Sequence, residues 1–138
     1  MRRPFKSLSP STYRPEDWIA LTRLLDLDDS KLRIQAMRCT AGNQRYAKGD
    51  FDHDHIRSLP FGCVAGFDHV PAAAVLKAGR GDCHTKGTLF VAMLRSVGVP
   101  ARLRFVTRSS AFLKGIIDVS HSTVTHAIGE VFLEWRWV

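Results

Sequence analysis

The stretch GRGDCHTKGTLFVAMLRSVGVPAR, residues 79–102, decides the fold. Apolar residues from Leu89 to Val97 cover almost the whole circumference of the helix that this stretch predicts. Gly98 and Pro100 end that helix, as a glycine just past the last turn and a following proline commonly do. A helix that is apolar on nearly all sides is buried in the middle of a protein, so the stretch predicts a central helix beginning near Cys83.

The period of the sequence changes from helical to alternating after Pro100. Apolar residues and arginines alternate over residues 102–105, which predicts a half-buried strand. A second strand is predicted over residues 125–133, and residues 135–138 predict a turn that leads into a third strand.

Helical patterns precede this region. Apolar residues from Trp18 to Leu25 are spaced as in a helix that begins at Glu16. Ser30 is placed to cap a second helix, which Gly42-Asn43 interrupts.

A further helix is predicted to end near Leu59, and Pro71 opens a short helix over residues 72–78 that Gly79 closes. Helices first and antiparallel strands later are typical of an α+β fold. The interpretation is an antiparallel sheet packed on one central helix.

A chain of 138 residues is the size of a single domain, with residues 1–60 as a helical lead-in and 61–138 as the core. No run approaches the ~18 apolar residues of a membrane span, and no apolar segment follows the basic N-terminus as in a signal peptide. Three cysteines at wide spacings suit a reducing cytoplasm, so a cytoplasmic protein without membrane contact is expected.

The net charge of +7 permits binding to nucleic acid. The basic residues form no block and have no aromatic residues among them, so net charge alone favours that function. Arg102, Arg104 and Arg108 share one strand face, which is either solvated or a patch for an acidic substrate or partner. The oligomeric state stays open.

Cys83 is the candidate nucleophile. It lies where a glycine-containing loop meets the first turn of the central helix, and unpaired N–H groups and the helix dipole there favour a thiolate. The same N–H groups, with that of Cys83 itself first, could hold an oxyanion. Gly87, one turn further on, lets a neighbouring strand approach closely. Cys39 and Cys63 are expected to be buried structural thiols, with a small chance of a site role for the loop residue Cys63.

A nucleophilic thiol needs a base, and the sequence offers six histidines. His84 follows Cys83 directly, but successive helix residues point about 100° apart, so its ring does not easily reach the sulfur. His126 is better placed. It shares a strand face with Ile128 and Glu130, and we expect that face to lie on the central helix and bring the imidazole to its N-terminus.

Two segments resemble the transglutaminase-like superfamily. Residues 79–102 match its Gly-x-Cys turn followed by a helix that ends in Arg-x-x-Gly-(Ile/Val)-Pro-Ala-Arg. Residues 125–133, with Trp137 eleven residues after the histidine, are similar to its His-Ala-Trp-x-Glu-(Val/Ile) strand and later Trp-Val. Ile128-Gly129 departs from that pattern, where a bulky Trp-x pair is usual. The resemblance covers roughly residues 30–138.

The resemblance implies a papain-like fold in which Cys83 is the nucleophile and His126 the general base of acyl transfer at a peptide or protein amide. Hydrolysis is expected rather than cross-linking, without cofactor or metal. The third catalytic residue of the family, an Asp just after the Trp-Val, is expected beyond Val138, which makes the core C-terminally incomplete and the chain truncated or degenerate. Glu130 is no easy substitute, because four strand residues separate it by about 13 Å from His126. Asp118 could reach only if its loop folds back.

Three alternatives stay open. The expected absence of the Asp favours a non-catalytic binding or interaction module, and the net charge favours a nucleic-acid-binding domain. A metal site is the third, because several histidines, cysteines and aspartates lie near one another in sequence, but none has the spacing of a zinc module. These residues are His53, Asp54, His55, Cys63, Asp68, His69, Cys83 and His84. Arg80-Gly81-Asp82 spells an integrin-type tripeptide by chance, and its glycine serves the turn.

Overall fold

The computed structural model describes residues 14–41, 48–66 and 69–138. The three strands of this part form one antiparallel sheet in the order β1-β2-β3, and they follow the helices in sequence. The α+β class and its order of elements are therefore confirmed. In chain order, the elements are a 3₁₀ helix Pro15–Trp18, α1 Ser30–Ala41, α2 Lys48–Ser58, α3 Ala72–Ala78, α4 Cys83–Ser96, β1 Ala101–Ser109, a 3₁₀ helix Ser110–Leu113, β2 Thr123–Leu133 and β3 Arg136–Trp137.

Helix α4 is the centre of the core, as its composition predicts. Leu89, Met93 and Leu94 are fully buried. The helix contacts α1, α2 and α3 as well as β1 and β2. Every other long element of the described chain is therefore positioned relative to α4, the helix that begins at Cys83.

Glycines set the distance between α4 and the β1–β2 hairpin. A Cβ atom on Gly87 would lie 2.7 Å from Leu103 Cδ2, and one on Gly129 would lie 2.5 Å from Phe90 Cδ1. Both distances are shorter than a carbon–carbon contact allows, so a side chain at either position would push helix and sheet apart. The close approach expected at Gly87 is confirmed.

The short helix α3 has the predicted bounds. Pro71 precedes it, and Gly79 ends it with a φ of +64° in the left-handed region that favours glycine. Gly98, with a φ of +79°, follows α4 in the same way. The helix predicted to end near Leu59 is α2, which ends at Ser58.

The first predicted helix is wrong. Only Pro15–Trp18 is helical there, as a single 3₁₀ turn. The chain then turns at Thr22, whose hydroxyl accepts the N–H of Leu25 at 3.2 Å and so replaces a helical bond by a local one. Helix α1 is present, but Asp29 rather than Ser30 caps it, because the Asp29 carboxylate accepts the N–H of Leu32 at 2.8 Å. The break at Gly42-Asn43 lies outside the described residues.

No helix in the described part of the chain has both the length and the apolar character that crossing a membrane requires.

Arg95 ties the end of α4 to two other parts of the chain. Its guanidinium is buried and donates to the carbonyl of Ala101 at 2.8 Å and to that of Ala20 at 2.7 Å. The Trp18 ring lies 5.7 Å from the guanidinium carbon. One side chain thus joins α4, the start of β1 and the N-terminal segment.

We expect Arg95→Met to lower the free energy of unfolding by about 2–4 kcal/mol, because two carbonyls lose a charged donor. Arg95→Lys should recover part of that loss, since an ammonium also donates but cannot match the planar fork. Urea unfolding measures both, with Arg33→Met on the exposed face of α1 as the matched control. An Arg95→Met protein as stable as the Arg33→Met control would contradict this role.

Candidate active site

Cys83 is the first residue of α4, and the turn before it is held by a capping box. The Asp82 carboxylate accepts the N–H of Thr85 at 2.9 Å, and the Thr85 hydroxyl accepts the N–H of Asp82 at 2.9 Å. The backbone N–H of Cys83 has no hydrogen-bond partner among the described residues, as its place at the helix start explains. The local sequence therefore presents a thiol together with an available N–H group.

A second segment fixes the loop that leads to Cys83. The N–H of Gly81 donates to the carbonyl of Pro60 at 3.2 Å, and the N–H of Gly62 donates to the carbonyl of Gly81 at 3.2 Å. Arg80 Nε donates to the carbonyl of Cys63 at 3.2 Å. A Cβ atom on Gly81 would lie 2.6 Å from Thr85 Oγ1, so a glycine is needed beside the capping box. The Arg-Gly-Asp tripeptide is accounted for by this turn.

Cys83 and His126 line the same cavity, which has a volume of about 470 Å³. Helix α2, helix α4 and strand β2 provide its walls. Both side chains are partly exposed. The structure thus brings together the two residues that the sequence selects as nucleophile and base. The full lining is His53, Ile56, Arg57, Cys83, Lys86, Gly87, Phe90, His126, Ala127, Ile128 and Gly129.

The prediction that the face of β2 with His126, Ile128 and Glu130 lies on α4 is wrong. Ala127 and Val131 are buried, and Gly129 lies against Phe90 of α4, so the alternate residues of β2 face the helix. The face of β2 that packs on α4 carries small or aliphatic residues because helix and sheet are close. Glu130 lies on the opposite face, where Arg102 and Arg104 bind its carboxylate. His126 belongs to the Glu130 face by alternation and still lines the cavity that contains Cys83.

The surroundings of His126 disfavour its protonated form. Burial lowers the pKa of His126 below its ordinary value of 6.5, and electrostatic interactions with Arg108 and then with His84 lower it further. Arg108 of β1 lies on the same face of the sheet as His126 of β2. Val106 pairs with His126, and Arg108 is two residues further along β1, so both side chains point to one side of the sheet. The His126 imidazole is therefore neutral at pH 7, the form that accepts a proton.

An aromatic ring also lies beside His126. The Phe112 ring, in the 3₁₀ helix between β1 and β2, meets the imidazole edge-on with centroids 5.9 Å apart. The Arg108 guanidinium carbon lies 5.3 Å from the centroid of the same ring. The hairpin loop thus folds back over the histidine.

Neither of the two carboxylates considered for the third catalytic position serves there. Glu130 binds Arg102 Nε at 2.7 Å and Arg104 Nη1 at 3.3 Å. Asp118 is exposed and lines a separate cavity formed by its own loop. Within the described residues, no carboxylate accepts a hydrogen bond from His126.

Of the three arginines that share one face of β1, Arg104 and Arg108 are exposed and Arg102 is not. Arg102 is half-buried, bound by Glu130 and stacked over Trp137 at 4.0 Å from its centroid. Arg104 is exposed and shares the same carboxylate. Arg108 stacks on Phe112 instead. Two of the three charges are therefore at least partly neutralised.

Of the remaining cysteines and histidines, only His53 lines this cavity among the described residues. Cys63 is exposed, so its prediction as a buried thiol is wrong, and Cys39 is half-buried with its sulfur 3.6 Å from Gln35 Nε2. The His84 ring packs on Phe105 with centroids 5.6 Å apart. The described residues contain no group of three His, Cys, Asp or Glu placed to hold a metal, and Asp68 lies outside them.

Sequence reasoning missed several cavity residues. Lys86 and Phe90 lie three and seven residues after Cys83, and helical spacing puts them on the face of the thiol. That signal was available. Arg57 and Phe112 come to the site through packing, and no local pattern indicates them.

The model of the transglutaminase-like superfamily matches residues 46–138, the part of the chain that contains the whole cavity. Among solved structures, the crystal structure of a candidate cysteine protease from Cytophaga hutchinsonii aligns with a TM-score of 0.68 at 18% identity. That alignment covers 99% of this chain and 43% of the other, so the chain spans less than half the length of that protein. No curated protein gives a significant match. Because the family model matches most of the chain, the chain belongs to the transglutaminase-like superfamily.

Proposed function

We propose that the protein catalyses thiol-dependent acyl transfer at amide bonds, with water as the acceptor and a peptide or protein as substrate. Cys83 is the nucleophile and His126 the general base. The observation that carries this proposal is the shared cavity of the two side chains, with the thiol at the first turn of a buried helix. The family and the cysteine-protease name of the structural neighbour support it as analogies.

The reaction proceeds in two halves. The Cys83 thiol gives its proton to His126, and the sulfur attacks the amide carbon while the carbonyl electron pair moves to oxygen near the Cys83 N–H. His126 then protonates the leaving amine as the carbon–nitrogen bond breaks, which leaves a thioester. Water attacks the thioester, gives a proton to His126 and releases the carboxylic acid, and that proton returns to the sulfur.

A non-catalytic binding module is the second candidate. It is favoured by the absence of any carboxylate hydrogen-bonded to His126 among the described residues. An orienting carboxylate fixes the imidazole tautomer and stabilises its charged form during acyl transfer, so a site without one is a weaker catalyst. The two candidates differ in whether Cys83 is chemically activated.

We expect hydrolysis of a peptide library, seen by mass spectrometry as new N-termini, to fall at least about 10³-fold in Cys83→Ala. No other thiol or hydroxyl side chain is among the described residues that line the cavity. Cys63→Ala is the matched control, because Cys63 is exposed and does not line the cavity. Cleavage that survives in Cys83→Ala at the rate of the control excludes this mechanism.

Alkylation separates the enzyme from the binding module. Cys63 is more exposed than Cys83, so accessibility alone predicts faster reaction at Cys63. An activated Cys83 should instead react with iodoacetamide at pH 6 at least about tenfold faster, because a thiolate rather than a thiol is the nucleophile. Peptide mapping gives both rate constants in one sample. Equal rates, or a faster Cys63, would favour the binding module.

The pH dependence tests the role of Arg108. Arg108→Gln removes a positive charge that lowers the pKa of His126, so this pKa should rise towards its ordinary value. The acidic limb of the pH–activity profile should then move to higher pH, since a base with a higher pKa is already protonated at a higher pH. NMR titration of the ring gives the pKa directly.

Arg104→Gln is the control for this change. Arg104 belongs to the same strand face but shares the Glu130 carboxylate rather than acting on His126. An unchanged or lower His126 pKa in Arg108→Gln would remove Arg108 from the account.

A further inference from the structure

The cavity that contains Cys83 is lined by cations and carries no carboxylate among its described lining residues. Arg57 of α2 and Lys86 of α4 are its charged side chains. No ion pair joins either of them to a carboxylate in the part of the chain that the structure describes. The positive charges of Arg57 and Lys86 therefore line the same cavity as the Cys83 thiol, and no described carboxylate forms an ion pair with either of them.

Three carboxylates near the cavity have partners other than Arg57 and Lys86. Asp82 accepts hydrogen bonds from Thr85, and Asp54 lies 3.5 Å from His53 Nδ1. Glu130 is bound by Arg102 and Arg104. Each of these acids has a partner outside the pair of Arg57 and Lys86, and none of them is among the described residues that line the cavity.

The position of Lys86 is defined by the backbone. Its ammonium donates to the carbonyl of Leu59, just past the end of α2, which holds the charge at the cavity wall. An ammonium has three donors, so further N–H groups stay available to a ligand. Lys86 lies three residues after Cys83, so the two side chains share one face of α4 and line the same cavity.

We propose that the substrate carries a carboxylate on a residue next to the scissile amide, and that Arg57 and Lys86 bind it. This inference rests on the proposed function. Cations that line a cavity without an internal counter-ion attract an anion. The substrate class is therefore an acidic peptide, with the carboxylate of Asp or Glu beside the cleaved bond.

Two alkylating reagents of equal size test the charge of the cavity without any peptide. Iodoacetate carries a carboxylate where iodoacetamide carries an amide. We expect the ratio of their rate constants at Cys83, acetate over acetamide, to fall about threefold to fivefold in Arg57→Gln at low salt. Lys86→Gln, whose amide can still donate to the Leu59 carbonyl, should lower the ratio similarly, and the double variant about tenfold or more.

Arg33→Gln on α1 removes the same charge outside the cavity and should leave the ratio unchanged. The ratio at Cys63, measured in the same digest, should not respond to any of the three single variants. Circular dichroism confirms that each variant is folded. A ratio at Cys83 that does not change in folded Arg57→Gln and Lys86→Gln overturns the proposal.

Paired peptides test the substrate class itself. Peptides with Asp or Glu next to the cleaved bond should be hydrolysed with a kcat/KM at least about tenfold above their Asn or Gln counterparts, and Arg57→Gln should reduce that preference. Hydrolysis without preference for the acid would overturn the acidic specificity while leaving the proposed function intact. A charge-dependent alkylation ratio without hydrolysis of any peptide would overturn the proposed function instead.

Discussion

Helix α4 and the β1–β2 hairpin approach each other at a distance that side chains at Gly87 and Gly129 would not permit. The buried face of β2 consequently carries only small or aliphatic residues such as Ala127 and Val131. This close contact brings the middle of β2 alongside the first turns of α4, so that His126 and Cys83 line one cavity. The two glycines, which have no side chain, therefore determine how close the candidate nucleophile and base come to one another.

Most of the fold follows from local signals. Pro71 and Gly79 delimit α3, and the unbroken apolar character of α4 predicts its central position, because each signal acts within a few residues of its effect. The failures have tertiary or competing causes. Thr22 bonds its own turn and stops a helix that apolar spacing alone predicts. The predicted buried face of β2 is wrong, because alternation indicates two faces of a strand but not which of them is buried.

The candidate site divides in the same way. Cys83 is recognisable in sequence because its loop, its capping residue and its helix are contiguous. His126 is indicated by its predicted strand together with the family resemblance. Arg57 belongs to a different helix and reaches the cavity only through the packing of α2 on α4. The charge of the cavity is therefore a property of the tertiary structure, and the net charge of the chain does not predict it. The neutral imidazole beside Arg108 has the same origin.

The Arg102 guanidinium carbon lies 4.0 Å from the Trp137 centroid and 5.5 Å from that of Trp18, and this cluster has a spectroscopic consequence. Trp18 lies 6.2 Å from Trp137, while Trp135, the third indole of the chain, is 93% exposed. Changes in intrinsic fluorescence should therefore come chiefly from the contact between the N-terminal segment and the sheet, since Trp135 is already in water. If that segment detaches before the core melts, emission and circular dichroism will give separate transitions, and fluorescence alone will understate the stability of α4 and its surroundings.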